Sequence, residues 1–108
     1  MSISPEVLEL EQAAEALKNE GKQEEAIEKY LAAVTLDETF VRGHFALALL
    51  YSKTQQFEKS VEHGEKAYQH EKDAVNAAFL SHIYQQAFEG TRDEKFIQKA
   101  EGVNTNLQ

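Results

Sequence analysis

The chain has 108 residues, the size of one small domain, and 42% of them are hydrophobic, too many for a disordered chain. It has no cysteine, which excludes disulfides, thiolate metal sites and cysteine nucleophiles. Eleven basic residues against nineteen acidic ones leave a net charge of −8, with only two arginines, so clustered cations for nucleic-acid phosphates are lacking.

Apolar residues recur at helical spacing along the chain. Leu8, Leu10, Ala13, Ala14 and Leu17 make a first stripe, opened by Ser4 as N-cap and Pro5 at the first helical position. Gly21 stops it. Ala26, Ile27, Tyr30, Ala33 and Val34 make the second, which Asp37-Glu38-Thr39 separates from the third. The third holds Phe45, Leu47, Ala48, Leu50 and Tyr51 and ends in a polar connection, Lys53 to Gln56, that has no glycine. Phe57, Val61, Ala67 and Tyr68 give a weaker fourth. Asp73 is a good N-cap for a fifth, with Phe79, Leu80, Ile83, Tyr84 and Ala87, and Gly90 is read as its end. Thr91 with Glu94 has capping-box spacing for a sixth, with Phe96, Ile97, Ala100 and Val103. No segment alternates long enough for a strand, so the expected fold is all-α with six helices. Residues 104–108 are expected to be a frayed tail.

The longest apolar run, Phe45 to Tyr51, is far too short to cross a bilayer. The first residues lack the basic-then-apolar layout of a signal peptide. The expected compartment is the cytoplasm, with no membrane partner.

A shift of one helical hairpin lays the chain on itself. Ala33 and Ala67 are 34 residues apart, and Ala67 and Ala100, Leu47 and Leu80, and Tyr51 and Tyr84 are each 33 apart. Small residues recur at Ala14, Ala48 and Ser81 and again at Ala26 and Ser60, and the pattern fails at Asp93. Small residues at these points let two helices approach closely, while large ones fill the space between hairpins.

In these features the chain resembles the tetratricopeptide repeat family, most clearly over Gly21 through Asp37, where Ala26, Tyr30 and Ala33 match the family's small, aromatic and small positions. The second repeat keeps Leu47, Ala48, Tyr51, Phe57 and Ala67 but has Gly64 where an aromatic is usual. The third keeps Leu80, Ser81, Tyr84, Ile97 and Ala100. The usual tryptophan is replaced by Leu10, His44 and Ala77, and Glu38 stands nearest the usual proline. The resemblance implies an α-solenoid of three antiparallel helical hairpins in a right-handed superhelix, with one domain over residues 1–103 and repeats near 7–40, 41–73 and 74–103.

The resemblance also implies a peptide groove lined by the first helix of each hairpin. That register selects Leu8, Glu11, Glu15 and Lys18, then Arg42, Phe45, Leu49 and Ser52, then Val75, Ala78, His82 and Gln85. The family's clamp for acidic chaperone C-termini uses lysines, asparagines and an arginine. Here the corresponding residues are Glu11, Glu15, Ala46, Val75 and Phe79, none of which matches, so a carboxylate-clamp role is not expected. Residues 1–40 hold ten acids and three lysines, nearly all of the imbalance. Glu11 and Glu15 read either as an edge that steers a basic or neutral peptide or as plain solubilising positions.

No catalytic, metal or cofactor site is expected. His63 and His70 share a helix face about two turns apart, too far for one ion, and His63 beside Lys59 and Lys66 reads as solvated surface. No His-Glu-x-x-His motif or phosphate loop is present. The expected function is a non-enzymatic protein- or peptide-binding adaptor. The alternative is a self-associating module using Phe96, Ile97 and Ala100 on the last hairpin.

Overall fold

The first helix begins where sequence chemistry says it should. Ser4 Oγ accepts the Val7 N–H at 3.3 Å, and Pro5 sits in the first turn of α1 (Pro5–Asn19). This computed structural model describes the backbone of residues 3–106 and the side chains of residues 3–103. Gly21 takes φ +82°, and the Gly21 and Lys22 N–H groups close back on Lys18 and Leu17 at 3.0 and 2.9 Å. The chain turns sharply there into α2 (Gln23–Leu36).

Asp37 caps the next turn by accepting from both the N–H and the hydroxyl of Thr39. Phe40 then drops into the core, 2% exposed, before α3 (Val41–Lys53). The α3 end has the same closure as α1 without a glycine. Gln55 takes φ 64°, and the Gln56 N–H reaches the Tyr51 carbonyl at 2.7 Å. After α4 (Phe57–His70), Asp73 accepts the Asn76 N–H at 2.8 Å and starts α5 (Ala74–Thr91), which is followed by α6 (Glu94–Asn106).

Three boundaries differ from the sequence reading. Gly90 does not end α5, which runs one residue further, and Arg92 makes the left-handed exit at φ 63°. Gly90 is required by a close approach instead, because the Phe57 ring lies where a side chain would be. Thr91 does not open α6; its hydroxyl donates to the Ala87 carbonyl within α5, and Asp93 accepts the Lys95 N–H at the α6 start. The tail expected to fray from residue 104 is helical over residues 104–106, which continue α6, and Leu107 and Gln108 lie outside the described residues.

The described residues are helical, with no strand among them, and each helix packs on the next in the manner of a tetratricopeptide-like helical repeat. One core cluster joins α1, α2 and α3 around Tyr30, Leu47 and Leu50, and a second joins α3 to α6 around Leu80, Ile83 and Phe96. The departure at Gly64 has a physical reason: Leu80 and Ile83 of α5 close to 3.2 and 3.5 Å of the place a Cβ would occupy, so an aromatic has no room. Positions 34 apart meet across hairpins. Ser52 Oγ donates to Gln86 Oε1 at 2.9 Å, and Lys99 Nζ donates to Glu65 Oε2 at 3.3 Å.

A candidate binding cleft across α1, α3 and α5

The groove-side residues of α1 and α3 converge on a cleft of about 310 Å³. Glu11, Glu15 and Lys18 come from α1, and Arg42, Phe45 and Leu49 from α3, as the register expected. Phe45 is half-buried and packs against Phe79 of α5 with ring centroids 4.4 Å apart and planes tilted by 48°. With Ala46 and Leu49 this pair makes an apolar floor that the fold leaves partly open. Tyr30 and Leu50 back it, and Lys53 joins Lys18 and Glu15 at its margin. Burial pushes the Tyr30 hydroxyl up to about 12, aided by Glu15 and Glu11, so it stays protonated.

Phe79, which the resemblance named only among the clamp-equivalent positions, is absent from the groove register. The α5 positions expected there, Ala78, His82 and Gln85, are exposed and do not line this cleft, because one residue's shift turns a helix by about 100°. A signal for Phe79 was available: it stands 34 residues after Phe45, the spacing at which equivalent positions meet. Ser52 spends its hydroxyl on Gln86 and does not line the cleft either. Leu8 and Val75 are exposed, Val75 at 77%.

Arg42 is not free in this cleft. Its Nε and one terminal nitrogen donate to the two carboxylate oxygens of Glu11 at 2.9 and 2.8 Å, a two-pronged bridge from α3 to α1. The acidic edge read from the sequence is therefore largely cancelled at Glu11. Two acids, Glu11 and Glu15, and three bases, Lys18, Arg42 and Lys53, line the cleft, so its wall carries a net +1 on a chain of net −8.

The other face of α3 holds an unexpected cluster. His63 is no solvated residue: it is 7% exposed and sits under His44, which is 3% exposed. Their Nδ1 atoms are 3.1 Å apart, and His44 Nε2 lies 2.9 Å from the Glu38 carbonyl. Tyr51 stacks on His63, and His70 on His44. Burial pulls His63 down to about 4, with His44 and Lys66 adding to the shift. His44 is lowered for the same first reason, against the pull of its bond to Glu38. Single-residue periodicity does not flag such a cluster: His63 reads as a polar surface position, and His44, although it stands where the family usually has tryptophan, finds its partner 19 residues away. Among the described residues, no three His, Asp or Glu side chains come together as a metal site.

On the last hairpin, Phe96 and Ala100 are 3% and 8% exposed, spent in the core of α5 and α6, and Lys95 lies over the Phe96 ring at 5.0 Å. Of the residues expected to offer a self-association face, only Ile97 keeps partial exposure. Among the described residues no helix is long and apolar enough to cross a membrane.

Residues 14–55 match the family profile of the TPR repeat, the stretch that supplies most of the cleft. The chain carries tetratricopeptide repeats. Two curated relatives align with most of this chain: DnaJ homolog subfamily C member 7 of Mus musculus, 34% identical over 83 residues, and of Homo sapiens, 32% identical over 85. These alignments cover 77% and 79% of this chain but 16% and 17% of the relatives, so the chain spans about a sixth of their length. Tetratricopeptide repeats generally mediate protein–protein interaction, and the helical hairpins described above are the scaffold on which they do so.

Proposed function

We propose that this tetratricopeptide domain is a non-enzymatic adaptor that binds a protein or peptide segment in the cleft across α1, α3 and α5. The observation that carries the reading is the half-buried Phe45–Phe79 pair in a surface cleft, in which Phe79 rests against the second core and Phe45 belongs to neither. A segment that covered it would bury apolar surface worth about 25 cal/mol per Å² and place its own apolar side chain against Leu49 and Ala46. Lys18, Lys53 and Glu15 at the margin supply hydrogen bonds and charge to orient it.

The partner favoured here is a mainly apolar segment of low net charge. The bridge between Arg42 and Glu11 removes the strongest argument for a basic one. A carboxylate clamp is disfavoured: Glu11 is committed to Arg42, Phe79 to Phe45, and Ala46 and Val75 have no side-chain donor. A cytoplasmic setting is part of the same reading.

Selection of a displayed random-peptide library on the wild-type domain tests this. Enriched peptides should share an apolar anchor and lose at least tenfold in affinity on Phe45→Ala or Phe79→Ala, with helicity kept. Peptides that bind both variants as tightly as wild type overturn it.

A further inference from the structure

The cluster behind α3 has a chemistry of its own, independent of what the cleft binds. His44 Nε2 faces a backbone carbonyl, which only accepts, so that nitrogen carries a hydrogen. In its neutral form His44 then presents a bare Nδ1. His63 must donate to it from its own Nδ1 across 3.1 Å. This is a hydrogen bond between two neutral imidazoles, buried where α3 meets α4 and the α2–α3 connection.

Protons undo it in two steps. The first can be held: His44 donates from Nδ1, and His63 moves its hydrogen to Nε2. The second sets two N–H groups against each other with no acceptor between them, and two cations in contact. The surroundings compensate only in part: the Glu62 carboxylate favours a charged His63 and the Glu38 carboxylate a charged His44, but burial outweighs both. From α4, Lys66 adds positive charge beside His63, and its Glu62 partner is 3.6 Å from the lysine nitrogen; His70 stacks on His44 at 6.2 Å. From α3, Tyr51 lies 5.7 Å from His63, with Lys59 Nζ of α4 5.6 Å from its ring and Glu62 of α4 and Glu24 of α2 acting on its hydroxyl. From the α2–α3 connection come the Glu38 carbonyl and Asp37, whose carboxylate is engaged by Thr39. Among the described residues no carboxylate hydrogen-bonds either ring. A cavity of about 430 Å³ opens beside both rings, between Val34 and Lys66, and gives water a way in.

We propose that the buried His44–His63 pair is an acid-sensitive latch, whose double protonation frees α3 from α4 and so shifts the helix that carries Phe45 and Leu49 into the cleft. The sign follows from the lowered affinity of both rings for protons in the folded state. The unfolded chain takes up protons near pH 6.5, and the folded His63 near 4, so stability is full above that window and is lost as pH falls through it.

The experiment is a histidine-resolved NMR titration of the wild-type domain, paired with urea unfolding of wild type and His63→Gln at pH 7 and pH 5.5. The expected result is His63 still neutral at pH 5.5, with its hydrogen on Nδ1 while His44 is neutral and on Nε2 once His44 has taken the first proton. The wild-type folding equilibrium falls roughly tenfold between the two pH values, where carboxylates are still ionised, and His63→Gln falls by much less. Phe45 and Leu49 signals move with the histidine transition at lower pH. His63 titrating near pH 6.5 without loss of stability overturns the proposal, as do cleft signals that stay fixed while His63 protonates. If His63→Gln does not fold, the wild-type titration decides alone.

Discussion

His44 and Phe45 are neighbours in the chain and lie on opposite sides of α3. His44, Leu47, Ala48 and Tyr51 face inward, each at most 5% exposed, while Arg42, Phe45, Ala46 and Leu49 face the cleft and stay partly accessible. Both faces contain aromatic rings in contact and polar atoms in pairs. The inward face closes its polar atoms on one another and on backbone carbonyls. The cleft face closes Arg42 on Glu11 and leaves its rings open. Satisfied and covered groups hold a fold together; apolar groups that are positioned but uncovered are what a partner can use.

Substitutions on the two faces should separate accordingly, beginning with the largest effect. Leu47→Ala removes a side chain with no exposed surface and should cost about 3 kcal/mol in urea unfolding. A cost below about 1 kcal/mol would mean that the inward face is loosely packed. Against the same face, Ser60 Oγ of α4 donates to the Ala48 carbonyl at 2.6 Å inside the protein. Ser60→Ala should lose about 1 kcal/mol in the same assay. Phe45→Ala should also cost about 1 kcal/mol, because a half-buried ring gives up less than a core leucine, while binding of library-selected peptides falls at least tenfold. If it unfolds the domain instead, Phe45 belongs to the core and the two faces are not distinct. Gln55→Gly relieves a left-handed backbone at the end of α3 and should raise stability by about 0.5 to 1 kcal/mol. Glu11→Gln, which weakens a bridge whose arginine side chain is 59% exposed, should change stability by about 0.5 kcal/mol or less.

The two faces also differ in how much of them a sequence can reveal. Leu47, Ala48, Leu50 and Tyr51 recur at helical spacing and again one hairpin later, so the helices, their order and the repeat were readable from hydrophobic period alone. Phe45 and Leu49 followed once the groove register was set on α3. The same register missed on α5, where its choice of Ala78 passed over Phe79 by a single position. The bond between His44 and His63 and the bridge between Glu11 and Arg42 were hidden for another reason. They join residues 19 and 31 positions apart whose types carry no periodic mark, and a polar residue reads as surface until its partner is known. Gln55 misled less: a turn without glycine was evident, but which residue would take the left-handed conformation was not.

We propose that a partner docks on the face of α3 that bears Phe45. Mapping backbone amide shifts of the labelled domain while adding a library-selected peptide tests it most directly. The account predicts that the largest shifts fall on residues 11–18 of α1, residues 42–53 of α3 and around Phe79, with α6 unmoved. Shifts gathered instead around Ile97 on α6, or on the outer surface of α4, would contradict it.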